Sequence, residues 1–170
     1  LGNTTSLSEV QDRTKDLNWS DNDDITRNMY FHTRSFLGIE KEISDIHDVL
    51  GQIGSALSSE KKLSLDTNNL ELKDLQKSIH RLVTIAVISD YTVDYANKRI
   101  DIQLSGADEE EIEAALLQYI GNYQQARARR IAEKIVKRNE NLREFVIQAT
   151  GHLIEFVYEI VELSRRRALL

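Results

Sequence analysis

The sequence predicts a mostly α-helical protein with one β-hairpin, closing on a long antiparallel pair of helices. Three observations predict it. Apolar residues recur at helical spacing along most of the chain after Ile39, the period drops to two only between Tyr91 and Leu104, and helical spacing resumes from Ile112 to Leu163 across one short polar joint at Arg138-Asn139.

Taken in order, the first ~25 residues are polar and turn-rich, with Asn3-Thr4-Thr5-Ser6 and Ser20-Asp21-Asn22-Asp23-Asp24, and read as a linker and lead-in segment over 1–38. Ile39, Ile43, Ile46, Val49 and Leu50 predict a helix from Ile39 to about Leu50, followed by a polar loop around Ser58 to Asn69. Asp66-Thr67-Asn68-Asn69 offers N-cap chemistry for a next helix over Leu70–Ile88. Tyr91–Tyr95 and Arg99–Leu104 then alternate around a turn at Ala96-Asn97-Lys98, with Tyr91, Val93, Tyr95, Ile100, Ile102 and Leu104 on the apolar face. After Ser105-Gly106, the acidic start Asp108-Glu109-Glu110-Glu111 suits the positive end of a helix dipole. That helix is expected to run to about Lys137, and a second from Glu140 to about Arg167, antiparallel because the joint is short. Gly121 and Gly151 interrupt the pair and are expected to be close-packing points. The expected organisation is therefore a lead-in over 1–38, a first folded unit over 39–106 and the helical hairpin over 107–170.

Composition removes several function classes. A chain of 170 residues with 41% hydrophobic and 29% charged residues can bury a core, and no apolar run approaches the length of a bilayer span. We expect no membrane contact. The absence of Cys removes disulfides, thiolate metal sites and Cys nucleophiles, and suits a cytoplasmic protein. The Leu1 start carries no secretory signal, and we expect a piece of a longer protein. With 22 basic and 28 acidic residues, the net charge of −6 argues against a surface coated for nucleic acid, though not against a local basic face.

Motifs for chemistry are sparse. There is no G-x-x-x-x-G-K-[ST] phosphate loop and no dinucleotide fingerprint, so no cofactor and no nucleotide-driven activity are expected in this chain. His32, His47, His80 and His152 form no i, i+4 pair and have no Cys beside them, so no metal site is expected. Arg27 and His32 match the R-x4-H spacing of HEPN ribonucleases, which resembles an acid–base site for RNA cleavage and is the sole catalytic alternative. Lys73, Lys77 and Arg81 recur at i, i+4, i+8 on one face of the predicted Leu70–Ile88 helix, and Lys98 and Arg99 sit at the hairpin tip beside Tyr95. These are candidates for weak DNA-backbone contacts, with Tyr95 either stacking on a base or packing on the sheet. Arg127, Arg130 and Lys134, with Arg129, Lys137 and Arg138, form a further basic cluster. It is readable either as compensation of the helix dipole or as a phosphate-binding face, while Arg165-Arg166-Arg167 are expected to pair with Asp108–Glu113.

A helix feeding a hairpin, preceded by another helix and a loop, is the order of a winged-helix unit, with the Leu70–Ile88 helix facing the groove and Tyr91–Leu104 as the wing. The other reading is a helical bundle with an added hairpin. The run Ile79-His80-Arg81-Leu82-Val83-Thr84-Ile85-Ala86-Val87-Ile88-Ser89-Asp90-Tyr91-Thr92-Val93-Asp94-Tyr95 resembles the winged-helix segment in the C-terminal region of bacterial RecQ-like superfamily II DNA helicases. Tyr30–Glu40 is similar to the segment leading out of their second motor domain, and the resemblance covers roughly residues 25–168. Two departures stand out: Ala86 where the pattern prefers Gly, and no Cys set for zinc.

The resemblance implies a non-catalytic DNA-binding and regulatory region of an ATP-dependent DNA helicase. The motor domains, with ATP and Mg, would lie N-terminal to Leu1 and, with DNA, be its partners. The alternative from another class is a helical protein-interaction or dimerisation module, in which the stripe of Phe145, Leu153, Phe156, Val157 and Ile160 recruits a partner or a second copy.

Overall fold

In the computed structural model, which describes residues 4–6, 38–135 and 141–169, the chain is mostly helical around a small antiparallel sheet. Helix α1 (Ile39–Ile53) forms where the sequence places it and buries Ile46, Val49, Leu50 and Ile53. A 3-10 helix over Gly54–Ser58 follows, with Leu57 turned into the core.

The segment expected as a polar loop contains a strand, β2 (Lys62–Asp66). Its alternation rests on only two apolar residues, Leu63 and Leu65, too few to announce a strand by period alone. The neighbour supplies the rest, since β2 pairs antiparallel with the second hairpin strand at Leu63↔Ile102 and Leu65↔Ile100. The Gln52 side chain clamps the strand end, donating to the Asp66 carbonyl at 2.8 Å and accepting from its N–H at 3.1 Å.

Helix α2 (Leu72–Thr84) is shorter than the predicted Leu70–Ile88 at both ends. The Asp66–Asn69 run does not cap it: Thr67 to Leu70 is a turn closed by the Leu70 N–H to the Thr67 carbonyl at 2.7 Å, with Asn68 in the left-handed region, and Glu71 occupies the N-cap. The other end closes in two bonds. The Val87 N–H donates to Leu82 O at 2.9 Å and the Ala86 N–H to Val83 O at 3.0 Å, the paired pattern of a Schellman cap. It requires a left-handed residue at Ala86, and φ there is +66°.

Ile88 thereby starts a strand instead of ending a helix. Strand β3 (Ile88–Asp94) and β4 (Arg99–Leu104) pair antiparallel, as the alternation predicts, with Tyr91↔Ile102 and Val93↔Ile100 on the apolar face and an irregularity between Ile88 and Asp90. In the turn, Asp94 accepts from the backbone and side-chain N–H groups of Asn97. The lead-in is not wholly linker: β1 (Thr4–Ser6) adds to the free edge of β3, giving the order β1-β3-β4-β2. Ser105 ties the hairpin exit back to the Schellman turn, its hydroxyl donating to the carbonyls of Ala86 and Val87.

Helix α3 (Glu109–Gly121) opens with a capping box between Asp108 and Glu111, Asp108 Oδ1 accepting from the Glu111 N–H at 2.9 Å. The single long helix expected to reach Lys137 is broken: α3 stops at Gly121, and α4 (Gln125–Lys134) starts after a turn closed by Tyr123 and Gln124 N–H groups on Ile120 O. Gly121 and Asn122 together give the weakest helix-forming pair in that stretch, and the chain breaks there. The expected close packing at the two glycines is not found. A Cβ on Gly121 would meet Ala128 at an ordinary 3.7 Å, and one on Gly151 would meet nothing within 4 Å.

Helix α5 (Leu142–Leu169) packs chiefly against α1 and α3. Phe145, Val146, Ala149, Leu153, Phe156 and Val157 join Ile46, Leu75, Ile79, Tyr91, Ile102 and Leu116 in one continuous core. Tyr119 and Tyr123 of the α3 end contact the Phe156 ring, at centroid distances of 6.2 and 6.0 Å. The apolar stripe that a recruited partner would need is thus largely consumed within the chain.

Candidate nucleic-acid interface

The cationic stripe on α2 faces inward. Every residue from Leu75 to Leu82 is buried, so the helix is covered on all sides and has no face left for a DNA groove. Lys77 and Arg81 each retain 1% exposure, which removes both from the set of DNA contacts, and Lys73 is half-buried. Their partners come from α1. Arg81 Nε lies 3.1 Å from Glu42 Oε1, with both side chains out of solvent. Asp45, also buried, is held by Lys41 one turn earlier. Burial pushes the Lys77 amine below the usual lysine range despite the nearby Glu42 charge, and raises the Asp45 carboxyl despite its bond to Lys41. The Tyr158 phenol of α5 is raised as well, first by burial and then by its hydrogen bond to Glu42. Helices α1, α2 and α5 therefore meet through a buried charged cluster, not through hydrocarbon alone.

The hairpin offers little to a polyanion. The strand registers align Asp66, Arg99 and Asp94 in one row across the wet face, Ser64, Asp101 and Thr92 in the next, and Lys62, Gln103 and Asp90 in the third. Four carboxylates thus stand against two cations, and an open trough of about 510 Å³ crosses the same face. Arg99 is engaged by Asp66, Nε to Oδ1 at 3.2 Å, and Asn97 bonds hold the Asp94 carboxyl below the usual carboxylate range. At the tip, Lys98 is exposed, whereas Tyr95 packs partly buried against the core.

The third basic group forms a cleft. On α4, Arg127, Arg130 and Lys134 fall at i, i+3, i+7 and share one side, and with Ile131 they face His152 and Glu155 of α5 across a groove of about 330 Å³. Arg130 and Lys134 are exposed, and Arg127 is less open, with 23% of its side chain accessible. Its guanidinium makes a forked pair with Glu159, Nη1–Oε2 at 2.7 Å and Nη2–Oε1 at 3.1 Å. As α4 advances from Arg127 to Lys134, its partners on α5 recede from Glu159 to His152, so these helices run antiparallel. The His152 imidazole is held below its ordinary pKa of 6.5 by burial, with the Lys134 and Arg127 charges adding to the shift and Glu155 opposing it.

Sequence reasoning finds the three cations of this groove but not its α5 wall. The Glu155, Glu159 pair at i, i+4 on the wet side of α5 is the signal that marks it. Arg27 and His32, the ribonuclease alternative, lie outside the described residues, as do Lys137, Arg138 and the side chains of Arg165–Arg167. Among the described residues, no three His, Cys, Asp or Glu side chains gather as a metal site, and no helix is long and apolar enough to cross a membrane. Compared with known proteins, the chain matches no family model, no curated protein and no solved structure.

Proposed function

We propose that this chain is a non-catalytic DNA-binding and regulatory region of an ATP-dependent DNA helicase, and that it holds DNA by the phosphate backbone in the α4–α5 groove. The observation that carries this is the alignment of Arg127, Arg130 and Lys134 along one wall of an open cleft in a chain of net charge −6. The Ile79–Tyr95 run, which resembles the helicase C-terminal region, and the helix–hairpin order around it supply the helicase context. In that reading the motor domains carry ATP and Mg, act N-terminal to this region in the cytoplasm, and deliver DNA to it. The winged-helix mode of contact, through α2 and the wing face, is not retained, because α2 is covered and the wing face is acidic.

The test is fluorescence anisotropy of a labelled forked DNA with the 170-residue chain across a salt series. Binding should weaken with salt, and Arg130→Ala with Lys134→Ala should weaken it further and reduce the log–log salt slope by about 2, one per lost phosphate contact. Absence of binding at low salt, or an unchanged slope in the double variant, overturns the proposal.

A further inference from the structure

The forked contact between Arg127 and Glu159 has the geometry with which an arginine receives a phosphate. A guanidinium presents parallel N–H donors, and a carboxylate and a phosphodiester both meet them with two oxygens. Here two oxygens of Glu159 fill those positions on Arg127, which lines a groove whose other cations, Arg130 and Lys134, are exposed. Glu159 itself is 53% accessible, so its side chain is half open to water. Glu155, one turn earlier on α5, projects into the same groove.

We propose that Glu159 is a built-in competitor for DNA phosphate: its carboxylate occupies the donors of Arg127, one of the residues lining the groove, and a DNA phosphodiester engages Arg127 only by displacing it. The inference rests on the groove being the DNA-binding face. It adds that the affinity of that face is set below what its cations would give, by an acid on the opposite helix. The displaced carboxylate swings into water, since its side chain already lies at the surface.

The two ideas separate in one set of measurements, using a fluorescein-labelled oligothymidine and the 170-residue chain at fixed low salt. Glu159→Gln keeps the shape and removes the charge, and it should tighten binding by about two- to fivefold, the range of a partly exposed ion pair. General repulsion between Glu159 and DNA would give the same sign, so the deciding step is the cycle with Arg127→Ala. If Glu159 acts by occupying Arg127, the gain from Glu159→Gln disappears in the Arg127→Ala background. An equal gain in both backgrounds, or no gain with Arg127 present, overturns the competitor role while leaving the groove assignment standing. Binding that is indifferent to Arg130→Ala with Lys134→Ala overturns the groove assignment, and the competitor role with it.

Discussion

Ala86 is the residue at which one added freedom should stabilise the fold. It sits at the left-handed position of the Schellman turn that ends α2, with φ +66° fixed by the Val87–Leu82 and Ala86–Val83 bonds. An L-residue with a Cβ is disfavoured there by roughly 1–2 kcal/mol, and a glycine is not. Against that gain, glycine adds about 0.4–1 kcal/mol of freedom to the unfolded chain. Ala86→Gly should therefore stabilise by about 0.5–1 kcal/mol, which for a chain of this size raises Tm by roughly 1–4 °C. Gly106→Ala is the opposite control. Gly106 has φ +71°, and a Cβ there would lie 3.2 Å from Glu60 Cγ and 3.3 Å from its backbone N, so the substitution must lower Tm. Thermal melts followed by circular dichroism, with urea titrations to check that the m-value is unchanged, read both. An Ala86→Gly variant that melts at or below the parent temperature would refute the cap geometry.

Two further outcomes follow from the buried and half-buried charges. Arg81→Met leaves Glu42 in the core without its nearest cation, and should cost about 3–5 kcal/mol in urea unfolding, while Arg129→Met on the exposed side of α4 should change stability by less than about 0.5 kcal/mol; equal small effects would show that Arg81 is not enclosed. His152 has a folded-state pKa below 6.5, so between that value and 6.5 the unfolded chain binds more protons, and stability present above pH 6.5 is lost as the pH falls through the folded value. Tm should drop between about pH 7 and pH 5 more steeply in the parent than in His152→Gln. Superimposable profiles would assign the drop to other groups.

How far the sequence could be read depended on whether the deciding interaction was local. The period of two in Tyr91–Leu104 and the period near 3.6 in Ile39–Ile53 are properties of neighbouring residues, and both elements form where the pattern puts them. Strand β2 needs β4 beside it to exist as a strand, and β1 needs β3, so neither was legible before the sheet was assembled. The Lys73, Lys77, Arg81 stripe was misread for a related reason. Spacing shows that the three share a face, not whether that face is wet, and cations are assigned to water by default. What reverses the default is α1, where Glu42 lies at the spacing of Ile46, Val49 and Ile53, with Asp45 beside Ile46. Acids on an apolar stripe mark a buried partner of opposite charge, and that mark was present in the sequence without naming the partner.

The reach of the proposed interface limits what the groove could do. Arg127 to Lys134 spans about 10 Å along the helix axis, the length of about three nucleotides of one strand at roughly 3.4 Å each. If the groove binds DNA as proposed, a face of that reach would meet the backbone of a single strand and leave the base edges untouched, positioning DNA without reading sequence. The carboxylate rows on the wet face of the sheet add a constraint of direction, because they would repel a polyanion that, on the proposed function, α4 would hold. In a chain with more acids than bases, that contrast between two surfaces would, on the proposed function, favour one approach for a strand arriving from a motor domain without any specific base contact.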